Sequence, residues 1–184
     1  MSNTKRALGF WKTAFFYGFA TGLLIICSMV GSFIAFGMQS GASSMAVGFL
    51  LMFLYMSLIF FGIKRFRNID QGGVIAFSKA LLLGASMAFF SALAYVLVWE
   101  IYIAYTGDTF IIGYTDMLLE KAKAKGMSGA ELSDYTSKMK DYVTNYERTS
   151  YRMPMTFLEN FPMGFIVALI SALSLHNPKF WARK

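Results

Sequence analysis

Four long apolar stretches, at about 14–38, 43–63, 77–105 and 155–175, dictate the architecture of this 184-residue chain. Each reaches the roughly 20 residues that a helix needs to cross about 30 Å of hydrocarbon. Inside a bilayer every backbone polar group must be satisfied within the protein, so stretches of this length fold as helices. The expected fold is all-α: an integral-membrane four-helix bundle forming a single membrane domain over 1–184. The polar segment 106–152 is expected as an extracytoplasmic helical hairpin between spans three and four. At 57% hydrophobic residues the chain exceeds the roughly 45–50% of ordinary soluble domains.

Charge sets the expected orientation. Lys5, Arg6 and Lys12 precede span one. Lys64, Arg65 and Arg67 follow span two, Lys79 opens span three, and Lys179, Arg183 and Lys184 follow span four. The link between the first two spans, 39–43, carries no charge. With Asp70 as the only acid on that side, ten bases leave it at +9, whereas 106–154 carries seven acids and seven bases. The positive-inside rule then places both termini in the cytoplasm and the hairpin outside. The overall charge of +7 is thus read as topology and as attraction to anionic headgroups on the cytoplasmic side, not as nucleic-acid binding. The first stretch follows basic residues as a signal peptide would. Its apolar core is far longer than the 7–15 or so residues of a signal sequence, so a retained helix is expected.

Along the chain, Trp11, Trp99, Tyr102, Tyr105, Phe180 and Trp181 sit near span ends, where amphipathic rings favour the headgroup level. Small residues recur at four-residue spacing: Gly18 and Gly22, Ala80 and Gly84, and Gly164, Ala168 and Ala172. Such faces allow close helix packing, within one chain or between copies. Within 106–152, Phe110, Tyr114, Met117 and Leu118 predict one helix ending at Gly126. Ser128 and Glu131 have capping-box spacing for a second helix. There Leu132, Tyr135, Met139, Tyr142 and Tyr146 form a heptad-like stripe, expected to be mostly buried. Pro162 is expected to kink span four or loosen its first turns.

Two groups of residues are candidates for chemistry. Glu100, Glu159 and Asn160 form a candidate intramembrane polar site. Counting helix rise from Lys79 and Lys179 puts both carboxylates near the outer boundary, within about a turn in height, facing the bundle interior. They are read either as a shared proton or cation site, or as structural groups paired with Arg148, Arg152 or nearby Tyr and Trp donors. Lys64, Arg65 and Arg67 beside Gly72 and Gly73 form a possible anionic-lipid contact, because a glycine turn opening a helix leaves N–H groups for a phosphate. Cys27, the only cysteine, is read as apolar filler. The single histidine, His176, cannot build a zinc site with itself, and no P-loop or dinucleotide motif is present. No metal and no cofactor are expected.

Three segments carry a resemblance. They are Ile63-Lys64-Arg65-Phe66-Arg67 with Gly72-Gly73-Val74-Ile75-Ala76-Phe77, then Tyr95-Val96-Leu97-Val98-Trp99-Glu100, and finally 152–162 running into a small-residue span and Asn177-Pro178. Together they resemble the bacterial four-span membrane family known as domain of unknown function forty-one ninety-nine. The resemblance covers nearly the whole chain, including the polar insertion. It implies a bacterial inner membrane and no particular activity, and it marks Glu100, Glu159 and Pro162 as family-like positions without assigning them roles.

The reading of function is a non-enzymatic accessory or scaffold protein acting by association, as a homo-oligomer or with a membrane-protein partner, through the hairpin and the small-residue faces. The alternative is a small proton- or cation-coupled transporter or channel-like oligomer using Glu100 and Glu159.

Overall fold

A computed structural model describes residues 7–37 and 45–181. The charges Lys5, Arg6, Arg183 and Lys184, the link 39–43 and the exact facing ends of spans one and two lie outside the described residues. The described residues form six helices: α1 (Phe10–Phe36), α2 (Met45–Ile69), α3 (Phe77–Thr106), α4 (Thr109–Ala124), α5 (Gly129–Tyr146) and α6 (Thr149–Leu175). No strand occurs among them. α1, α2, α3 and α6 are long and apolar enough to cross a membrane. α4 and α5 make the hairpin between the third and fourth of these.

Two expected boundaries move. α2 runs to Ile69 instead of stopping at 63, so Lys64, Arg65 and Arg67 lie on the helix and not in a link. α6 begins at Thr149 instead of 155 and is unbroken through Pro154 and Pro162. Both prolines sit on its exposed side, where the ring meets no neighbouring helix. Each still removes one i→i−4 hydrogen bond, leaving the Ser150 and Leu158 carbonyls without their helical donors.

α3 is the axis. Half of its membrane window is buried, against 22–33% for the other three. α1 and α6 pack along its two sides, while α2 closes the ring against α1 and α6. Small residues explain the arrangement. A Cβ on Gly18 or Gly22 would overlap the backbone carbonyls of Met87 or Ser91. One on Gly84 would strike Ala168, and one on Gly164 would strike Ala88. The small-residue faces pack within one chain, at the α1–α3 and α3–α6 seams. Three buried hydroxyls on these helices donate back to their own ladders: Thr13 to the Gly9 carbonyl, Thr21 to Tyr17 and Ser171 to Val167. That satisfies them without any cross-helix or ligand role.

Two apolar clusters divide the bundle lengthwise. One, around Ile59, Ile63, Leu83, Met87 and Ala168, fills the end away from the hairpin. The other, around Ile26, Met56, Tyr95, Trp99, Ile111 and Tyr146, continues from the spans into the hairpin and joins the two. Trp99 thus points inward, only 4% exposed, whereas Trp11 and Tyr105 are largely exposed at the span ends.

Candidate functional site

The hairpin is fastened to the bundle by one guanidinium. Arg152, on the first turns of α6, is 7% exposed. Its Nε donates to Glu100 Oε1 at 2.8 Å and its Nη2 to Glu100 Oε2 at 2.6 Å, the parallel two-bond geometry that a carboxylate and an arginine share. Nη1 donates to the carbonyls of Tyr146 at 2.8 Å and Glu147 at 3.3 Å, and Nη2 also reaches Thr149 Oγ1 at 3.4 Å. The cation thereby caps the C-terminal carbonyls of α5, where the helix dipole is negative. Beside it, Trp99 Nε1 donates to the Tyr146 hydroxyl at 2.7 Å. Trp99 also stacks on Tyr102 and meets the edge of Phe110, which stacks on Tyr114. Four helices, α3 to α6, converge on this clamp.

The hairpin tyrosines are shifted chiefly by their burial against the bundle. Burial pushes the Tyr142 phenol up to about 12, and the nearby Glu159 carboxylate adds to the effect. Tyr114 is raised by the same two causes in the same order. Tyr146 is raised by burial, against a smaller opposing pull from the Trp99 N–H. The stripe is covered only at its base: Tyr146 is buried, while Tyr142, Met139 and Tyr135 are half-buried. Ser128 occupies the N-cap of α5 as its spacing predicts, but its side chain makes no capping bond. Asp108 likewise precedes α4 without a side-chain cap.

The structure separates the three residues of the candidate polar site. Glu100 is in the clamp with Arg152. Asn160 is 1% exposed in the α3–α6 seam, where it accepts from Ser91 Oγ at 3.4 Å, and its Nδ2 has no hydrogen-bond partner among the described residues. Glu159 is exposed on the flank of α6 and does not face the interior. Nor are the two carboxylates level. Ser91 lies opposite Asn160, and Glu100 is nine residues beyond Ser91, so it stands about 12 Å above Glu159. The equal-height expectation fails because Lys179 lies past the end of α6, in the turn after Leu175. Gly84 packs on Ala168, so Lys79 is level with about residue 173 of α6, and counting from Lys179 lengthened the ruler by about six residues, or about 9 Å. The two acids share no site.

The candidate anionic-lipid contact is also rearranged. Arg67 is fully buried. It donates to the carbonyls of Leu175 at 3.3 Å, Phe180 at 2.9 Å and Trp181 at 2.9 Å, and to Asn68 Oδ1 at 2.9 Å. It caps α6 as Arg152 caps α5, and is unavailable to lipid. Lys64 lies 3.6 Å from the centre of the Trp181 ring, and Arg65 lies 3.8 Å from Asp70, which itself accepts from the Gly9 N–H. Gly72 and Gly73 have φ of 67° and 101° and form the turn. The Gly73 N–H is already given to the Arg67 carbonyl, and α3 starts only at Phe77, so no phosphate nest opens that helix. The buried role of Arg67 escaped the sequence reading, although a signal existed. It continues the inward face of α2 through Met56, Ile59 and Ile63, at helical spacing. Among the described residues no group of three or more metal-binding side chains occurs.

No curated protein and no solved structure matches the chain. A sequence profile of the family described as Protein of unknown function (DUF4199) matches residues 16–177. The matched region takes in Arg67 and Arg152, the Glu100 clamp, the hairpin and nearly all of the four membrane-length helices. The chain therefore belongs to the DUF4199 family of proteins of unknown function.

Proposed function

We propose that this is a multi-pass protein of the bacterial inner membrane, with both termini cytoplasmic, that acts by association and not by catalysis. In this reading it is an accessory or scaffold subunit presenting the α4–α5 hairpin outside the membrane. One observation carries the proposal. One of the two acids that a transporter would use, Glu100, is closed in a two-bond ion pair whose cation also holds the end of α5. A group so engaged orients the hairpin; it does not cycle a proton. The graded burial of the tyrosine stripe adds support, since Tyr135 and Met139 remain half-covered at the distal part of the hairpin and offer a partner apolar surface between charged flanks. On the cytoplasmic side, exposed Lys12 and Lys79 with Lys64 attract anionic headgroups through their summed charge and without a built phosphate site.

A photo-crosslinking residue at Tyr135 or Met139, followed by purification from native membranes, tests the reading. Discrete adducts to one membrane or periplasmic protein, lost when the hairpin is unclamped by Arg152→Met, are the expected result. Proton or cation flux in proteoliposomes that disappears in Glu159→Gln, without such adducts, would instead establish the transport alternative.

A further inference from the structure

One acid in the membrane-length helices has hairpin tyrosines near it but no cation paired with it among the described residues. Glu159 makes no hydrogen bond and no ion pair with any described residue, and it is exposed on the flank of α6. It stands at one end of a shallow groove of about 520 Å³ lined by Ser150, Tyr151, Pro154, Met155, Leu158 and Glu159. The hairpin overhangs this groove, with the Tyr142 hydroxyl 3.8 Å from Met155 Sδ. We propose that the groove seats the primary ammonium headgroup of a phospholipid in the hairpin-side leaflet, with Glu159 as its counter-ion.

Height favours a headgroup. Glu159 is sixteen residues from the end of α6, about 24 Å along the helix. Helical side chains lean toward the helix N-terminus, here the hairpin side, so the carboxylate reaches up toward the boundary of an approximately 30 Å hydrocarbon layer. The surroundings favour a lipid. The same flank of α6 continues down the membrane as exposed Leu158, Ile166 and Ile170, a path along which acyl chains lie.

The chemistry favours an N–H donor with positive charge. A carboxylate at this depth costs several kcal/mol unless it is paired. The two prolines of α6 add to the demand. Pro154 withholds an N–H from the Ser150 carbonyl and Pro162 withholds one from Leu158, and both of these residues line the groove. The groove thus offers a negative charge and spare acceptors and contains no cation. A primary ammonium supplies charge and three donors, whereas a trimethylammonium supplies charge alone. The ring of Tyr151, 42% exposed at the groove, adds an aromatic face for a cation. The site is independent of the association reading above, and its failure would leave that reading standing.

The test is native mass spectrometry of the full chain in detergent, titrated with acyl-matched phosphatidylethanolamine and phosphatidylcholine. Phosphatidylethanolamine adducts are expected to exceed phosphatidylcholine adducts about tenfold, the worth of one charge-assisted hydrogen bond. Glu159→Gln, nearly isosteric and exposed, is expected to bring the two lipids to parity. Met155→Lys leaves the carboxylate in place but sets an internal ammonium one turn away on the same flank, and is expected to abolish the preference equally. Melting curves of both variants check that they are folded, and either one alone decides the matter. Equal retention of the two lipids by the unmodified chain overturns the proposal, as does a preference that survives either substitution in a folded variant.

Discussion

Arg67 and Arg152 are nearly excluded from solvent, yet they solve different problems. Arg152 has a carboxylate partner. Arg67 has none among its hydrogen bonds and is held by three main-chain carbonyls at the end of α6. Losing one member of a buried pair strands the other, at a cost of about 3–5 kcal/mol. For Arg152→Met the lower end, about 3 kcal/mol, is expected, because the Glu100 side chain keeps 19% exposure. The double variant Glu100→Gln with Arg152→Met should cost less than the sum of the singles, and thermal unfolding in detergent measures the coupling. Arg67→Met should loosen the turn after Leu175. Faster proteolysis at 176–181, with the bundle still helical, is the expected signature. At this scale the sequence was only partly legible. It brought Glu100 and Arg152 into view as possible partners, because an intramembrane acid needs a nearby cation. It could not show which way Glu159 pointed, since one residue along α6 separates the buried face of Asn160 from the lipid-facing flank.

Between elements, backbone approach decides what is tolerated. A Cβ on Gly22 would meet the Ser91 carbonyl, which cannot move aside, and Gly22→Ala is expected to destabilise by about 1–3 kcal/mol. A Cβ on Gly62 would meet the end of the Met87 side chain and the Tyr17 ring, which can shift more readily than a main-chain carbonyl, and Gly31 faces nothing within 4 Å, so the alanine variants there should be intermediate and near-neutral in turn. Ranking the three by melting temperature checks the packing without any functional assay. The hairpin's attachment has a pH signature. The Tyr142 phenol titrates near 10 in an unfolded chain and is pushed up to about 12 in place. Its folded-state value is raised, so its contribution to docking is full below about pH 10 and is lost as pH climbs toward 12. A phenolate absorbance step near pH 12, removed by Tyr142→Phe, is the expected observation. The hairpin's helices and their break at Gly126 were legible because turn chemistry and periodicity are local. The burial of the stripe was not, because it depends on how far the hairpin leans onto α3 and α6, and only Tyr146 and Tyr142, at its base, reach that contact.

For the molecule as a whole, hydropathy is a one-dimensional signal, and it yielded the number, order and type of the spans directly. The central place of α3 was half-visible in its small residues. The heights of the acids were not legible, because they require knowing where each helix stops. Orientation rests on charge: single cysteines at Ser133 and Asn177 should label from opposite sides of intact cells, with Ser133→Cys reached by an impermeant reagent. Labelling of Asn177→Cys alone by the impermeant reagent would reverse the topology, and labelling of both would mean that α6 does not cross the membrane.

The length of α3 has a consequence for how the protein meets bilayers of different thickness. Its 30 residues span about 45 Å, while hydrocarbon is about 30 Å thick. A lone helix would relieve such hydrophobic mismatch by tilting, but α3 is wedged between α1 and α6, with half of its membrane window buried. The excess is therefore carried upward as a rigid pedestal, with the Glu100–Arg152 clamp at its rim. Thickening or thinning the membrane should change how far the hairpin stands off the surface more than it changes the bundle beneath.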